Sequence, residues 1–270
     1  MSHGQGSLRR VVVDPADPAL DPFRNLTDAQ WRRSPEGPDG LFLAESLHVV
    51  RRVLEHCPQH VRTVVVTPHA AARLADVLPA APSVLVAQPA LLAAVSGFDV
   101  HRGVLAAVQR PPVADPDQLI AGSRRLAVLE DLTDQANLGA LFRSASALGI
   151  DAILLSPRCA DPLYRRTVRV SMGEVLRLAW ARLDPWPDGL DRLHRQGFEV
   201  LALTPTAAEP LTVPRRAAKV AVLLGSEADG LTRAALAAAH KAVRIPMRPG
   251  IDSLNAAAAA AIAFATVGLV

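Results

Sequence analysis

The chain has 270 residues, of which 50% are hydrophobic, and a formal net charge of +3. This length suits one large domain or two smaller ones, and the charge is compatible with a nucleic-acid partner without requiring one. Cys57 and Cys159 are too few and too far apart for a disulfide framework or a zinc site, so no metal is expected. Residues 1–7 are polar, and the apolar stretch 256–270 is too short and too rich in alanine to span a bilayer. We therefore expect a soluble, cytoplasmic protein.

Arginine supplies nearly all of the positive charge, and several arginines stand in adjacent pairs. Arginine is the side chain best suited to bidentate contacts with phosphate. In an arginine-rich chain most such pairs are solvated surface, and a phosphate-binding face is the open alternative. The pairs are Arg9-Arg10, Arg32-Arg33, Arg51-Arg52, Arg124-Arg125, Arg165-Arg166 and Arg215-Arg216.

The first part of the sequence predicts a small α/β domain. Residues 8–40, which include a Trp31-Arg32-Arg33 cluster, are rich in proline and aspartate and indicate an irregular or helical lead-in. Apolar runs and helical periodicity then alternate, as is typical of helices packed on a sheet. The predicted strands are 41–44, 61–67, 83–87 and 103–108, and the predicted helices are 45–56, 69–78 and 89–95.

A proline-rich stretch, residues 109–123, shows little periodicity and is the predicted linker. We place the domain boundary near residue 118. This gives a first domain of residues 1–118 and a second domain of residues 119–270.

The second domain is predicted to be α/β with a mostly parallel sheet and helices on both faces. Its strands are near-continuous apolar runs, as burial on both faces requires. The predicted strands are 125–129, 153–156, 199–204, 220–224 and 243–247. The predicted helices are 137–148, 164–173, 190–196, 230–240 and a terminal alanine-rich helix, and residues 175–180 are ambiguous.

The end of the chain combines a strand end with a polar turn. A strand is predicted from Val243 to Met247, and Asp252 or Ser253 is expected to cap the terminal helix that follows. An alanine-rich helix lets other backbone approach closely, and the carboxyl end of a strand is where α/β proteins bind ligands. A tightly packed terminal helix with an ordinary cap explains the same residues.

Two earlier stretches have the same character. In the first, Asn137 is expected to cap a helix and Gly139 to allow close approach, while Arg143 lies six residues after Asn137 and so on roughly the opposite side. In the second, an apolar strand ending at Leu224 runs into Gly225-Ser226-Glu227, where glycine lets a ligand lie against bare backbone and Glu227 projects into the same crevice. A capped helix with a surface arginine and a tight turn with a surface glutamate are the alternatives.

Three common motifs do not occur in the sequence. There is no G-x-G-x-x-G after a strand, no G-x-x-x-x-G-K-[ST] loop and no G-x-S-x-G elbow. A dinucleotide enzyme, a P-loop enzyme and a common hydrolase are therefore not expected.

Taken in order, the three stretches resemble the three motifs of the SpoU (TrmH-like) RNA 2′-O-ribose methyltransferases of the SPOUT superfamily. The matching series are Asn137-x-Gly139-x-x-x-Arg143, Leu224-Gly225-Ser226-Glu227-x-x-Gly230-Leu231, and Ile245-Pro246-Met247 to Ser253-Leu254-Asn255. The first domain is also similar to the small substrate-binding domain of that family. Phe42 to Ser46 resembles its Phe-x-x-Glu-Gly segment, with Ser46 where glycine is usual, and His101-Arg102-Gly103 resembles its His-x-Gly.

The resemblance implies transfer of a methyl group from S-adenosylmethionine to RNA, with rRNA favoured over tRNA. It also implies a trefoil knot in the second domain, a homodimer with active sites near the interface, and a first domain that binds the RNA substrate. The implied catalytic residues are Asn137, Arg143, Glu227, Ser253 and Asn255. The implied cofactor-binding residues are Leu203, Thr204, Leu224, Gly225, Ile245, Met247, Ser253 and Leu254.

A guanidinium whose pKa lies above about 12 is a poor base. We therefore expect Arg143 to orient the ribose 2′-hydroxyl and stabilise the developing alkoxide, with Asn255 and Glu227 holding the geometry. The alternatives are a non-catalytic RNA-binding protein that retains the fold, for example in ribosome assembly, and a small-molecule α/β enzyme. The second alternative would require the motif match to be accidental.

Overall fold

The computed structural model describes residues 8–24, 26, 40–211 and 218–268. The chain forms two compact units, here called the first and second units. The first unit consists of Met1–Pro111 and Leu163–Leu176, and the second of Pro112–Pro162 and Arg177–Val270.

This division differs from the predicted boundary near residue 118 in two ways. It falls at Pro111, because the predicted linker contains a helix, Pro116–Gly122. That helix is capped by Asp115, and Ile120 is buried in the core of the second unit. In addition, the first unit takes up Leu163–Leu176, which the sequence assigned to the second domain. We call this stretch the inserted segment.

The helices, in chain order, are α1 (Leu47–His56), α2 (Pro68–Arg73), α3 (Pro89–Ser96), α4 (Pro116–Gly122), α5 (Gln135–Ala147), α6 (Arg165–Val170), α7 (Asp191–Arg195), α8 (Arg233–Ala237) and α9 (Ala256–Val267). Short 3-10 helices lie at Pro18–Phe23, Pro58–His60, Leu78–Ala80, His101–Gly103, Glu174–Leu176 and Asp188–Leu190. Within the described ranges, none of these helices has the length and apolar character that a membrane crossing requires.

The first unit is built on a mixed five-stranded sheet. Its strands are β1 (Leu8–Val12), β2 (Leu41–Glu45), β3 (Val61–Val66), β4 (Ser83–Ala87) and β5 (Val104–Gln109). In the order β1-β4-β3-β5-β2, β1, β4 and β3 are parallel, and β5 is antiparallel to β3 and β2. Strand β1 was not predicted. It forms at the sheet edge, where backbone pairing with β4 orders a segment that has no alternating pattern of its own.

The inserted segment completes the first unit through charged contacts. The side chain of Glu45 is only 1% exposed, and its carboxylate lies 3.5 Å from the guanidinium of Arg169 and 3.8 Å from that of Arg165. Arg52 donates a hydrogen bond to the backbone carbonyl of Met172 at 2.6 Å. A buried carboxylate requires nearby positive charge, so residues from distant parts of the sequence stabilise one unit.

The second unit is built on a seven-stranded sheet in which every neighbouring pair is parallel. Its strands are β6 (Arg125–Leu129), β7 (Ala152–Leu155), β8 (Ala179–Arg182), β9 (Glu199–Leu203), β10 (Glu209–Pro210), β11 (Val220–Leu224) and β12 (Lys241–Arg244). The order β10-β12-β9-β11-β6-β7-β8 places β9, β11 and β6 at the centre. The predicted α/β class and parallel sheet are confirmed, while the ambiguous residues 175–180 contribute a 3-10 turn and the start of β8.

The cap predicted for helix α5 is wrong. The helix begins at Gln135 instead of Asn137, and Asp134 is its cap. The Asp134 carboxylate accepts a hydrogen bond from the backbone N–H of Asn137 at 2.7 Å. Because Asn137 is not needed as a cap, its side chain is free to make other contacts.

The cap predicted for the terminal helix is also wrong. Strand β12 ends at Arg244, and the chain then runs as a loop through Asp252 and Ser253 to Asn255. The Asn255 side chain caps α9, since its Oδ1 accepts hydrogen bonds from the backbone N–H groups of Ala257 and Ala258 at 3.0 and 3.3 Å. The predicted strand 243–247 therefore stops earlier, and Met247 lies in the loop.

Other predicted elements differ only in length, and one lies outside the described residues. Helix α8 begins at Arg233 because Thr232 caps it, accepting from the backbone N–H of Ala235 at 3.2 Å. Gly149 follows α5 with a φ of 79°, as a glycine at a helix end often does. The Trp31-Arg32-Arg33 cluster falls outside the described ranges.

Candidate cofactor and catalytic site

A cavity of about 660 Å³ opens at the carboxyl ends of the central strands of the second unit. Its wall includes the last residues of β9 and β11, Leu203 and Leu224, and the two loops that follow β11 and β12. All of the predicted cofactor-binding residues line it: Leu203, Thr204, Leu224, Gly225, Ile245, Met247, Ser253 and Leu254. The parallel topology explains this convergence, because loops from different strands meet at one edge of the sheet.

The loop after β11 is closed on itself. Ser226 and Gly230 exchange backbone hydrogen bonds, both at 3.1 Å. A Cβ at position 225 would lie 2.2 Å from the carbonyl carbon of Gly230 and 2.3 Å from the backbone nitrogen of Leu231. Glycine at 225 is thus required by the approach of the chain's own backbone. This differs from the predicted reason, a ligand lying against bare backbone.

A chain of amide hydrogen bonds joins three of the predicted catalytic residues beside this cavity. Asn255 Nδ2 donates to Asn137 Oδ1 at 2.9 Å, and Asn137 Nδ2 donates to Glu227 Oε1 at 3.0 Å. Since Asn255 Oδ1 accepts from the backbone of α9, the orientation of each amide is fixed by its neighbours. Ser253 also lines the cavity. Residues separated by 90 and 118 positions in sequence are therefore held in one polar chain.

Arg143 does not line this cavity, although it stands on the same helix as Asn137. Six residues at about 100° each place the two side chains about 120° apart around the helix axis. The Arg143 side chain is exposed. The structure thus brings together Asn137, Glu227, Ser253 and Asn255 and leaves Arg143 outside the cavity of its own chain.

A buried glutamate that the sequence analysis missed supports the wall of the cavity. Glu130 is 1% exposed and follows directly after β6. Its carboxylate accepts hydrogen bonds from Trp186 Nε1 at 2.6 Å, from Thr232 N at 2.8 Å and from Thr232 Oγ1 at 2.7 Å. It therefore fixes the cap of α8 next to Leu231, which lines the cavity. The sequence feature that could have identified Glu130 is a charged residue directly after an apolar strand.

Comparison with known proteins identifies the family to which this chain belongs. A model of the SpoU rRNA methylase family matches residues 124–265. The chain belongs to the SpoU rRNA methylase family. The matched range of this SpoU-family chain contains every residue that lines the cavity.

Similarity to individual proteins extends over nearly the whole chain, beyond residues 124–265. A protein of Mycobacterium bovis described as an uncharacterised tRNA/rRNA methyltransferase is 41% identical over 269 residues, covering 97% of this chain and 92% of that protein. A solved AdoMet-bound rRNA methyltransferase from Sinorhizobium meliloti superposes with a TM-score of 0.75 at 24% identity, with 97% of each chain covered. A solved RNA 2′-O ribose methyltransferase superposes with a TM-score of 0.72 at 25% identity, covering 96% of this chain and 97% of that one.

Proposed function

We propose that this protein is an S-adenosylmethionine-dependent methyltransferase that modifies a ribose 2′-hydroxyl of RNA, with rRNA favoured over tRNA. The observation that carries the proposal is the Asn255–Asn137–Glu227 hydrogen-bond chain beside a strand-end cavity inside the matched family range. The naming of the relatives as RNA methyltransferases supports the substrate class. An RNA substrate also agrees with a cytoplasmic location.

The residues around the cavity fit the proposed cofactor. Leu203, Leu224 and Ile245 provide apolar surface for an adenine ring, and the carboxylates of Glu227 and Asp229 provide negative charge near a cationic ligand. The volume of about 660 Å³ lies within the range of about 300–1,000 Å³ that is usual for sites of small ligands. When bound, S-adenosylmethionine supplies an activated methyl group. The protein then has mainly to align the 2′-hydroxyl with it and exclude water.

The amide chain is suited to that alignment. Asn137 and Asn255 are each held by hydrogen bonds, so they present fixed dipoles to a bound hydroxyl without having to reorganise during the reaction. Ser253 and Glu227 complete the polar wall. These residues would position the nucleophile, and the Glu227 carboxylate is the group among them that would accept the hydroxyl proton.

Arg143 would complete the site from a second copy of the chain. Its side chain is exposed and lies outside the cavity of its own protomer. We propose a homodimer in which Arg143 of the partner subunit reaches the cavity, orients the 2′-hydroxyl and stabilises the alkoxide. Its guanidinium offers a rigid fork of donors, which suits this role better than that of a base.

A trefoil knot in the second unit is part of the same proposal. Support comes from the path of the last helix, since α9 packs on α5, the helix of the first motif. Near the end of α9, the backbone carbonyl of Val267 accepts a hydrogen bond from Arg125 Nε at 2.6 Å, so the end of the chain returns to the start of β6.

The first experiment is methyl transfer from labelled S-adenosylmethionine into total RNA from cells that lack this protein, followed by mapping of 2′-O-methylated positions. Incorporation at one nucleotide is expected. Binding of S-adenosylmethionine by calorimetry, with no incorporation into total RNA or ribosomal precursors, would instead favour the non-catalytic RNA-binding protein.

The role of Arg143 is tested by an Arg143→Lys variant and by mixing subunits. The lysine keeps the positive charge but lacks the planar guanidinium with its fixed N–H donors, so single-turnover rates should fall by at least about tenfold. Arg143→Ala and Asn137→Ala variants should each be inactive alone. If the site is shared, heterodimers of the two contain one intact site and regain activity. No recovery on mixing, with heterodimers verified, would place Arg143 and Asn137 in the same protomer's site.

A further inference from the structure

A second cavity, of about 460 Å³, lies entirely within the first unit. It has an apolar part, formed by Leu47, Pro89 and Val100, and a charged part. Its complete lining is Leu47, Thr67, His69, Arg73, Pro89, Asp99, Val100, Arg102 and Gly103. Its arginines come from helix α2 and from the His101–Gly103 turn, the motif whose role the proposed function does not explain.

The backbone around this cavity is unusual. Arg102 has a φ of 61° and a ψ of 16°, a left-handed conformation that disfavours residues with a Cβ. Gly103 follows with a φ of 67° and packs so closely on Thr67 that a Cβ would lie 2.5 Å from the Thr67 hydroxyl oxygen. Thr67 N donates to the Gly103 carbonyl at 2.8 Å, and Thr67 also caps α2. The turn and α2 are thereby held together, and a strained arginine is retained where asparagine or glycine would fit with less strain.

The two arginines of the cavity differ from most other arginines of the first unit. Arg51 binds Asp76, Arg52 binds Glu174 and Arg10 binds Asp17. In the described part of the chain, the guanidinium groups of Arg73 and Arg102 have neither an ion pair nor a hydrogen bond. Asp99 is the one carboxylate among the lining residues, so the cavity keeps a net positive charge. Unpaired guanidinium groups beside an apolar surface suit a phosphate attached to a flat, apolar group.

We propose that this cavity binds one unpaired nucleotide of the RNA substrate. Arg73 and Arg102 contact its phosphate, and its base lies against Leu47 and Val100. Single-stranded nucleotides are the ones that proteins can take into a pocket, because a paired base is stacked within its helix. The inference rests on the proposed function, and it adds the residues by which the first unit holds the RNA.

The test compares two double variants that remove the same charge from the same unit. Arg73→Ala/Arg102→Ala empties the cavity of guanidinium groups. Arg9→Ala/Arg10→Ala removes two exposed arginines of strand β1 that do not line the cavity. The probe is deproteinised rRNA from cells lacking this protein, and affinity is measured from about 50 to 200 mM NaCl.

The cavity variant should weaken RNA binding by at least about tenfold and reduce the slope of log affinity against log salt by about 0.7, the contribution of one single-strand phosphate. The loss should fall on KM for RNA, while the Kd for S-adenosylmethionine stays within about twofold of wild type. The β1 variant should change RNA affinity less than about threefold. Equal effects of the two double variants would overturn the inference.

An Arg102→Gly variant separates binding from folding. Glycine adopts the left-handed conformation without a steric penalty, so the Tm should be unchanged or slightly raised while RNA affinity falls. A variant that keeps full RNA affinity would contradict the role of Arg102. If wild-type protein neither binds nor methylates this RNA, the proposed function fails as well. If it methylates RNA and the cavity variants behave as wild type, only the nucleotide site fails.

Discussion

The cavity of the second unit and the cavity of the first unit differ in how their polar side chains are satisfied. In the second unit, Glu227 accepts from Asn137, and Asn137 accepts from Asn255, which in turn caps α9. In the first unit, within the described ranges, the guanidinium groups of Arg73 and Arg102 remain without partners. One cavity contains a closed network of mainly neutral groups, and the other keeps its positive charge available.

This difference corresponds to two kinds of ligand. A small ligand that must react in one pose requires fixed dipoles, which a closed network provides. A polyanion can be held by charge in many positions, and its affinity falls with salt because counterions are released. The contrast therefore agrees with the proposed division, in which the second unit carries out the chemistry and the first unit binds RNA. The following variants test each side of it.

The largest effect is expected for Gly225→Ala. The added Cβ would collide with backbone atoms of Gly230 and Leu231, neither of which can move like a side chain. The loop that lines the cavity must shift, at a cost of about 3 kcal/mol or more, and the Kd for S-adenosylmethionine should rise by at least about 100-fold. Calorimetry measures this change. Gly122→Ala is the matched control, because no atom of the described residues lies within 4 Å of its Cβ and its backbone is unstrained.

A smaller effect is expected for Glu130→Ala. The substitution leaves the donors of Trp186 and Thr232 without their buried acceptor, which should lower the free energy of unfolding by about 3 kcal/mol. Binding of S-adenosylmethionine should weaken, while the salt dependence of RNA binding should not change. Urea denaturation and the two binding assays measure these effects. Glu209→Ala, at an exposed glutamate of the same unit, should change stability by less than about 0.5 kcal/mol, and an equal loss there would contradict the argument.

The smallest effect is expected for Ser46→Gly, which acts in the first unit. Ser46 has a φ of 90° and a ψ of 151°, a region that is almost restricted to glycine. Relief of this strain exceeds the entropy that glycine adds to the unfolded chain, so stability should increase by about 1 kcal/mol. Urea denaturation measures the gain. Ala44→Gly, in the preceding strand, relieves no strain, loses a buried methyl group and adds entropy to the unfolded chain, so it should be less stable than wild type. A loss of stability in both variants would mean that position 46 is not strained.

The sequence predicted those features that depend on local pattern and on motif order. Strands β4, β6 and β11 were placed at their observed bounds, because each is an uninterrupted apolar run between turn residues. The residues that the family resemblance assigned to the cofactor line one cavity, at the sheet edge where the carboxyl ends of the strands meet, and their cofactor-binding role stays a prediction. The roles of the implied catalytic residues also stay predictions.

Two of the features that were missed depend on partners distant in sequence, and a third depends on where a helix starts. Strand β1 is ordered by pairing with β4, and the partners of Glu130 are 56 and 102 residues away. The cap of α5 was misplaced because Asp134 and Asn137 are equally good cap residues, and only the start of the helix decides between them. The periodicity of a short stretch of sequence carries no information about contacts between residues this far apart in the chain.

The inserted segment has a consequence for the order in which the protein is made. A ribosome releases the first unit up to Pro111 well before Leu163–Leu176 has been synthesised. The 65 residues from Pro111 to Leu176 (176 − 111) take roughly 3–13 s at about 5–20 residues per second. Throughout that interval Glu45 lacks the two arginines that neutralise it. The first unit is therefore complete only after residues 112–162 of the second unit have been synthesised, and a gene fragment that stops at Pro111 encodes a first unit without its inserted segment.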